Sequence, residues 1–208
     1  MGLTIETIDG AIRRAGARAA ADEQEINAAD GKLGDGDTGI TLRRVFEKLV
    51  AASDERSGEE LGAYLKSLSA AASSASGSSL ATLMAVALNA LARETKAQQE
   101  IGWDRLGELL AKVRDTMIAR GGASLGDKTV VDALDAVATA ITGKNDPDEM
   151  GRTAVQAANE ALLQFRDRPC RMGRARMFAE RSVGLDDPGM LAFTRLLEAA
   201  VAENGQGR

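Results

Sequence analysis

The chain has 208 residues, of which 44% are apolar and 27% charged, values typical of one soluble globular domain. Its net charge of −5 disfavours general nucleic-acid binding, which needs an excess of lysine and arginine. It contains no histidine, which excludes a Ser-His-Asp triad, a histidine zinc site and a phosphohistidine relay within this chain. Aromatic residues make up only 3%, which favours closely packed helices over a sheet.

Cysteine content and the N-terminal residues indicate the cellular compartment. The single cysteine, Cys170, excludes an internal disulfide and is typical of a reducing cytosol. Residues 1–4 carry no basic start and lead into no long apolar run, so no signal peptide is predicted. No stretch reaches the roughly 18 apolar residues that a membrane span needs. We therefore expect a cytoplasmic protein that binds neither membrane nor nucleic acid.

Apolar residues recur at helical spacing along most of the chain, so the sequence predicts an all-α domain. The first helix is predicted over 4–29 and the second over 40–52, with a glycine-rich acidic loop between them. Ser57 and Glu60 have the spacing of a capping box and predict the start of a third helix. A serine-rich turn then leads into a fourth helix, predicted over 80–92.

The fifth and sixth predicted helices follow, separated by a second glycine-rich turn. Asp146-Pro147 and Asp187-Pro188 predict the starts of the seventh and eighth helices, because an N-cap aspartate precedes proline at the first helical position. Short connections make sequential helices antiparallel neighbours. The prediction is therefore one eight-helix antiparallel bundle over residues 1–208.

Three aspartates lie between the first two predicted helices, namely Asp30, Asp35 and Asp37, with glycines interspersed. Carboxylates this close repel one another unless a cation neutralises them, and the glycines allow the backbone to bring them together. Oxygen ligands favour Mg²⁺ or Ca²⁺ over zinc. An EF-hand is excluded, because Ile40 and Phe46 occupy the positions of its glycine and its closing glutamate. The alternative is a solvated acidic loop that caps the second helix.

Two further turns have features of phosphate sites. Residues 76–79 (Ser-Gly-Ser-Ser) precede the fourth helix, where amide and hydroxyl donors suit an anion; a simple serine cap is the alternative. Residues 121–129 are similar to a Walker A loop, but an aspartate separates the second glycine from the lysine and no strand precedes them. A P-loop is therefore excluded, and residues 126–129 are expected to form a turn and a helix cap near a ligand.

Six arginines between positions 166 and 181 concentrate positive charge in an otherwise acidic chain. Arginine binds phosphate oxygens in a bidentate manner, so we expect one or two of these side chains at the site. A basic surface or a partner-docking patch is the alternative for the others. The six are Arg166, Arg168, Arg171, Arg174, Arg176 and Arg181.

Five segments, in this order and at this spacing, resemble the DhaL-type subunit of dihydroxyacetone kinases over nearly the whole chain. They are Asp30 with 34–39 (Gly-Asp-Gly-Asp-Thr-Gly), 75–77 (Ala-Ser-Gly), 126–134 (Gly-Asp-Lys-Thr-Val-Val-Asp-Ala-Leu), 173–175 (Gly-Arg-Ala) with 180–184 (Glu-Arg-Ser-Val-Gly), and 187–189 (Asp-Pro-Gly). The resemblance implies an eight-helix antiparallel barrel with the nucleotide at one end, which agrees with the helix count predicted from periodicity.

The resemblance also implies a set of site residues. Asp30, Asp35 and Asp37 would hold two Mg²⁺ ions that bridge the phosphates of ADP or ATP, and Arg174 would act with them in catalysis. The residues that it implies for the nucleotide are Thr38, Gly39, Ile40, Thr41, Ala75, Ser76, Gly77, Gly121, Val130, Arg174, Asp187, Pro188 and Gly189.

The family's sugar-binding subunit, of the DhaK type, holds the ketose covalently on a histidine, which fits the lack of histidine here. The resemblance thus implies a kinase subunit, active only with that partner, that phosphorylates dihydroxyacetone or a related ketose such as erythrulose. Subunits served by the sugar phosphotransferase system often have histidine where this chain has Thr38, which favours ATP over a phosphotransferase protein as the donor.

Two alternative functions remain at this point. The nucleotide domain of a fatty-acid kinase shares the Asp-Gly-Asp-Thr-Gly loop, but it is longer and lacks the segments at 173–174 and 187–189. A regulatory module linked to the phosphotransferase system would bind nucleotide without turnover. The sequence does not decide between a monomer and a homodimer.

Overall fold

The computed structural model describes residues 2–56, 58 and 60–202, and over these ranges nine α-helices form the bundle. Ser57 of the predicted capping box lies outside the described residues, and the helix that follows begins at Leu61. The helices are α1 (Ile5–Ala21), α2 (Glu23–Asp30), α3 (Thr38–Asp54), α4 (Leu61–Ala75), α5 (Ser79–Glu94), α6 (Leu106–Gly121), α7 (Val130–Ile141), α8 (Pro147–Arg166) and α9 (Pro188–Val201).

Short elements complete the description. Strands β1 (Gly2–Leu3) and β2 (Ile101–Gly102) pair antiparallel, with Gly2 opposite Gly102. A Cβ atom on Gly2 would lie 2.2 Å from the Ile101 carbonyl oxygen, so only glycine permits this close pairing. Single 3₁₀ turns are formed by Trp103–Arg105, Arg174–Phe178 and Glu180–Ser182. Within the described ranges, no helix combines the length and the apolar character that a bilayer span requires.

The first predicted helix is divided in two at Asp22, which explains nine helices where eight were expected. The Asp22 N–H donates to the Arg18 carbonyl and its own carbonyl accepts from Ile26, so the chain bends without losing these hydrogen bonds. The bend brings α2 against the start of α3. There, a Cβ atom on Gly39 would lie 2.3 Å from the Glu23 carbonyl oxygen.

The helices pack in sequence around a ring, and α9 closes the ring by packing on both α8 and α1. Small side chains allow close approach between the helices, as the low aromatic content predicted. Fully buried alanines, with 0% exposure, occur in α1, α4, α5, α7 and α8, at Ala19, Ala72, Ala81, Ala133 and Ala158. Leucine, isoleucine and valine fill the spaces between them, and this core fixes where the connecting loops emerge.

Local capping determines where the later helices begin, as the sequence predicted. The Asp146 carboxylate accepts the Glu149 N–H at 2.7 Å, and the Asp187 carboxylate accepts the Met190 N–H at 2.8 Å. A proline follows each aspartate as the first helical residue. The predicted cap at Thr129 is also confirmed, since it forms a capping box with the N3 residue of α7.

Because successive helices alternate in direction, the connections 31–37, 76–78, 122–129 and 167–187 emerge at one end of the bundle. Hydrogen bonds join two of these loops directly, since the Arg171 N–H donates to the Asp127 carbonyl at 3.0 Å. We call residues 31–37 the acidic loop and residues 167–187 the basic loop. The β1–β2 pair lies among the connections at the other end.

Asp187 provides a test of this packing through its titration. Burial raises the pKa of this carboxyl to about 6, from about 4 in an unfolded chain. Because this pKa is higher in the folded state, the protonated Asp187 carboxyl contributes to the stability of the fold. That contribution is complete below about pH 4 and is lost as the pH rises through 6. Asp187→Asn retains a capping oxygen and cannot ionise, so we expect it to exceed wild type in unfolding free energy by about 1 kcal/mol at pH 8.

Urea unfolding without nucleotide, at pH 8 and at pH 4, measures this difference, which should vanish at the lower pH. Asp146→Asn, the same exchange at the exposed N-cap of α8, isolates the effect of changing the capping oxygen itself. Equal stabilities of wild type and Asp187→Asn at both pH values would contradict the expected burial of an ionised carboxylate.

Candidate functional site

The three aspartates singled out in the sequence converge at the N-terminus of α3. One carboxylate oxygen from each of Asp30, Asp35 and Asp37 lies within 4.8 Å of the others. Asp30 is buried, with 8% exposure, while Asp35 and Asp37 are exposed at the mouth of the loop. We call these three residues the acidic cluster. Oxygens this close, of which two are accessible, have the chemistry of a Mg²⁺ or Ca²⁺ site.

Asp30 is held in place by the helix that follows it. It is the last residue of α2, and its Oδ2 accepts the N–H groups of Asp37 at 3.0 Å and Thr38 at 3.1 Å. These amides belong to the positive end of the α3 dipole, which stabilises a carboxylate there. Asp37, the residue at the N-cap position, makes no capping hydrogen bond with its own side chain.

Asn27 was not predicted as a site residue, yet it completes the cap of α3. Its Oδ1 accepts the N–H groups of Gly39 at 2.8 Å and Ile40 at 3.3 Å. Asn27 precedes Asp30 by three positions on α2, so both side chains lie on one face of the helix. Together they cap α3 from outside the acidic loop. The alternative in which the acidic loop only caps α3 therefore does not explain Asp35 and Asp37, because Asn27 and Asp30 already accept the amides at the start of that helix.

Two glycines give the acidic loop its shape. A Cβ atom on Gly34 would lie only 2.4 Å from Asp30 Oδ1, so a larger residue would displace the carboxylate. Gly36 has φ +77°, a left-handed conformation that favours glycine. The loop thus folds tightly around Asp30 and turns the next two aspartates towards it. The residues present fit a hard divalent cation.

The basic loop contributes Arg174, whose guanidinium forms an ion pair with the Asp35 carboxylate. Both side chains are exposed, at 62% and 45% respectively. An apolar cluster beneath them joins the two loops, with Leu33 of the acidic loop packed against Cys170 and Ala175 of the basic loop. Arg174 therefore supplies positive charge at the rim of the acidic cluster.

Three of the other arginines in this region make different contacts, and Arg171 and Arg176 are exposed. Arg166 binds Asp186 through two hydrogen bonds, at 2.7 and 2.8 Å. Arg168 and Arg181 each stack on a phenylalanine ring of the same segment, at 4.5 and 5.1 Å from the ring centroid. Among the described residues, Arg174 is the arginine of this group that pairs with the acidic cluster. That one or two of these arginines bind phosphate stays a prediction, for which Arg174 is the candidate.

Residues 38–41 form the first turn of α3, directly beside the acidic cluster. Gly39 and Thr41 are buried, and Gly39 packs against the backbone of α2, so neither side chain position faces open space. Thr38 and Ile40 are half-buried at the loop. Thr38 and Ile40 are therefore the residues of this turn that a bound nucleotide could contact. Glycine is required at position 39 by its close packing against α2.

The serine turn before α5 uses its hydroxyls locally. Ser76 Oγ accepts the Ser78 N–H at 3.1 Å, and Ser78 Oγ accepts the Ala81 N–H at 3.2 Å. The helix cap that was the alternative at these residues is thus present. A Cβ atom on Gly77 would meet nothing within 4 Å, so the backbone there borders open space, next to the half-buried Ala75. A role for this turn in nucleotide binding stays a prediction.

Three other residues implied for the nucleotide, Gly121, Val130 and Gly189, lie against the packed ends of α5, α6, α7 and α9. A Cβ atom on Gly121 would lie 3.4 Å from Leu83 of α5, and one on Gly189 would lie 3.7 Å from Val130. Leu83 and Val130 belong to one apolar cluster, to which Ala123 also contributes. These contacts place an apolar surface at the same end of the bundle as the acidic cluster.

The lysine of the Walker-like turn has a position that the sequence did not predict. Lys128 is 1% exposed, and its Nζ donates to backbone carbonyl oxygens of the basic loop and its flanks. Burial lowers its pKa, although the nearby Asp187 and Asp186 carboxylates favour the charged form. The Lys128 ammonium is therefore occupied by backbone acceptors and is not available to a phosphate in this conformation.

Comparison with known proteins supplies the family context. Residues 32–202 match the family model Dak2, described as the DAK2 domain. The chain is 26% identical over 202 residues to the PEP-dependent dihydroxyacetone kinase, ADP-binding subunit DhaL, of Escherichia coli K12, covering 95% of this chain and 96% of that protein. It is 30% identical over 188 residues to the L-erythrulose kinase of Pectobacterium atrosepticum. That match covers 86% of this chain and 31% of the kinase, so the chain spans about a third of the longer protein.

A solved structure shares the fold. The dihydroxyacetone kinase from C. freundii, in complex with AMP-PNP and Mg²⁺, superposes with a TM-score of 0.72 at 22% identity. The superposition covers 96% of this chain and 34% of that chain. The family model and the match over nearly the whole length of an ADP-binding subunit agree, and the chain therefore belongs to the DAK2 domain family, as a member of the DhaL type.

Proposed function

We propose that this chain is the nucleotide-binding subunit of a two-component ketose kinase. It binds ADP or ATP with Mg²⁺ at the acidic cluster and transfers phosphate to a short ketose held on a sugar-binding partner. The observation that carries this proposal is the convergence of three carboxylates within 4.8 Å at the start of α3. Relatives named as ADP-binding subunits of dihydroxyacetone kinase support it.

The acidic cluster has the donor set that magnesium needs. Bound Mg²⁺ neutralises phosphate charge and orients the transferred group. Asp35 and Asp37 present accessible carboxylates, while Asp30 adds a buried one whose second oxygen is anchored by backbone amides. Three carboxylates provide enough oxygens for two ions that also use phosphate oxygens and water, so we propose two Mg²⁺ ions.

Arg174 is suited to stabilise charge on the phosphates. Its pair with Asp35 is exposed, and exposed ion pairs contribute little to stability. The guanidinium can therefore exchange the carboxylate for a phosphate group, two oxygens of which can accept its N–H groups in the same bidentate manner. When the aspartates bind cations, Arg174 becomes available to the developing charge of the transferred group.

The acceptor hydroxyl and its general base are assigned to the partner. The chain has no histidine with which to hold a ketose covalently or to serve as base. The erythrulose kinase relative carries a region like this chain as about a third of its length, which supports a DhaK-like sugar-binding part that completes the enzyme. Names of relatives suggest dihydroxyacetone or erythrulose as acceptor.

Neutralising single carboxylates tests the metal site. We expect Asp35→Asn and Asp37→Asn each to weaken ADP binding in Mg²⁺ by about 100-fold, because even outer-shell partners of metal ligands contribute about 10–100-fold. Isothermal titration calorimetry with and without Mg²⁺ measures the change. Far-UV circular dichroism should remain that of wild type. Asp148→Asn, which removes the same charge from the first turn of α8, is the matched control.

Near-native affinity of both variants for ADP in Mg²⁺ would show that the metal assignment is wrong. An equal loss in Asp148→Asn would attribute the effect to net charge rather than to the acidic cluster.

The stability of the free protein gives a second, independent test. Without divalent cations, Asp37→Asn should raise the melting temperature, because it removes one of three mutually repelling carboxylates. Asp30→Ala should lower the unfolding free energy by about 1 kcal/mol, because it removes the cap from two amides of α3. Scanning calorimetry in EDTA distinguishes the two; a lower melting temperature for Asp37→Asn would contradict the repulsion argument.

Reconstitution tests the transfer reaction. The purified chain is mixed with a DhaK-type sugar-binding subunit and either dihydroxyacetone or erythrulose, with ATP or with phosphoenolpyruvate and phosphotransferase proteins as donor. We expect phosphorylated ketose only when both subunits are present, and with ATP as donor. Turnover with the phosphotransferase donor but not with ATP would show that ATP, inferred from Thr38, is the wrong donor. Nucleotide binding without turnover under either donor would favour the regulatory module instead.

A further inference from the structure

We infer that Lys128 is a positioning residue, whose buried ammonium fixes the basic loop so that Arg174 faces the acidic cluster. The inference rests on the proposed function of that cluster as the phosphate site. It assigns to the Walker-like turn a role that is different from phosphate binding. Lys128 acts on the reaction through Arg174 and touches neither nucleotide nor metal.

The ammonium of Lys128 has no capacity for a further acceptor. Its Nζ donates to the carbonyl oxygens of Arg166 at 2.9 Å, Arg168 at 2.8 Å and Ser182 at 2.8 Å. An ammonium group has three N–H donors, so all of them are used. With 1% of the residue exposed, water cannot replace these contacts.

The three acceptors bracket the segment that carries Arg174. Arg166 and Arg168 lie before it, at the end of α8 and the start of the basic loop, and Ser182 lies after it. Lys128 therefore ties the two ends of this segment together. Hydrogen bonds from a charged donor are stronger than neutral ones, and without Lys128 these carbonyls would lose their charged donor.

Two further hydrogen bonds join the same two ends of this segment. The Cys170 N–H donates to Ser182 Oγ at 2.7 Å, and the Gly184 N–H donates to the Arg166 carbonyl at 2.9 Å. The Arg171 N–H donates to the carbonyl of Asp127, the residue directly before Lys128. The base of the basic loop is thus bonded both to the side chain of Lys128 and to its backbone neighbour.

The backbone conformation of Lys128 is unfavourable for a lysine, which indicates that the contacts of its side chain hold it there. Its φ is +62°, in the left-handed region where glycine is favoured and other residues are strained. The Asp132 carboxylate holds this turn by accepting the N–H groups of Gly126 at 2.6 Å and Thr129 at 2.8 Å. A lysine that is both strained and buried is kept in place by its three acceptors.

A double-mutant cycle tests the inference. Lys128→Met preserves side-chain length and removes the charge, and we expect it to weaken ADP binding in Mg²⁺ about tenfold, to the level of Arg174→Ala. If Lys128 acts through Arg174, adding Lys128→Met to Arg174→Ala should cause no further loss. Effects that add, or an unchanged affinity of Lys128→Met, would overturn the inference, because a merely structural role weakens binding in both backgrounds.

Hydrogen exchange without nucleotide provides a readout that does not depend on the proposed function. Lys128→Met should speed amide exchange in the basic loop by about tenfold or more while α3 and α4 keep wild-type protection. Lys66→Met, at an exposed position of α4, is the control. Exchange in the basic loop that stays at the wild-type rate would overturn the inference.

Lys128→Gln serves if Lys128→Met does not fold. It removes the charge but keeps two N–H donors for the same carbonyl oxygens, so it should loosen the basic loop to a smaller degree. An unchanged exchange rate in the basic loop of Lys128→Gln would then overturn the inference. If the wild-type chain binds no ADP in Mg²⁺, the proposed function fails, while the exchange data still decide the role of Lys128.

Discussion

The candidate site depends on one interaction, the acceptance of two α3 amides by the buried Asp30 carboxylate. This contact joins the end of α2 to the start of α3 and forces the intervening chain into a tight loop. Gly34 must lie against Asp30 for that loop to close, and Asp35 and Asp37 then converge on the same point. Backbone amides of α3 hold the first carboxylate, whereas Asp37, at the N-cap position of the same helix, makes no capping hydrogen bond with its side chain. Positive charge from elsewhere relieves the repulsion among the three.

Two of the cations at this end of the bundle are held in different ways. Arg174 is exposed and paired with Asp35, so its contact is weak and exchangeable. Lys128 is buried and donates to three carbonyl oxygens, so its contacts are stronger and shielded from water. An acidic chain with a net charge of −5 thus places an exchangeable cation at the rim of its carboxylates and a fixed one beneath the loop that carries it.

The sequence predicted those features that local chemistry determines. Aspartate-proline pairs set the starts of α8 and α9, and periodicity identified the helices, although it continued through Asp22 and concealed the break there. The three aspartates could be paired with a cation because they are neighbours in the chain. The turn and helix cap at residues 126–129 could be predicted, but the contacts of Lys128 could not, since its acceptors lie 38, 40 and 54 positions away in the chain.

The separation of these two cations follows from what each must do. In the proposed function, Arg174 exchanges a carboxylate for a phosphate. A side chain that does so cannot also define the conformation of its own loop, since that conformation would be lost whenever the partner changed. The loop geometry must come from groups that the ligand never touches. Lys128 meets this requirement because its three donors are saturated by backbone oxygens of Arg166, Arg168 and Ser182, none of which is among the residues implied for the nucleotide.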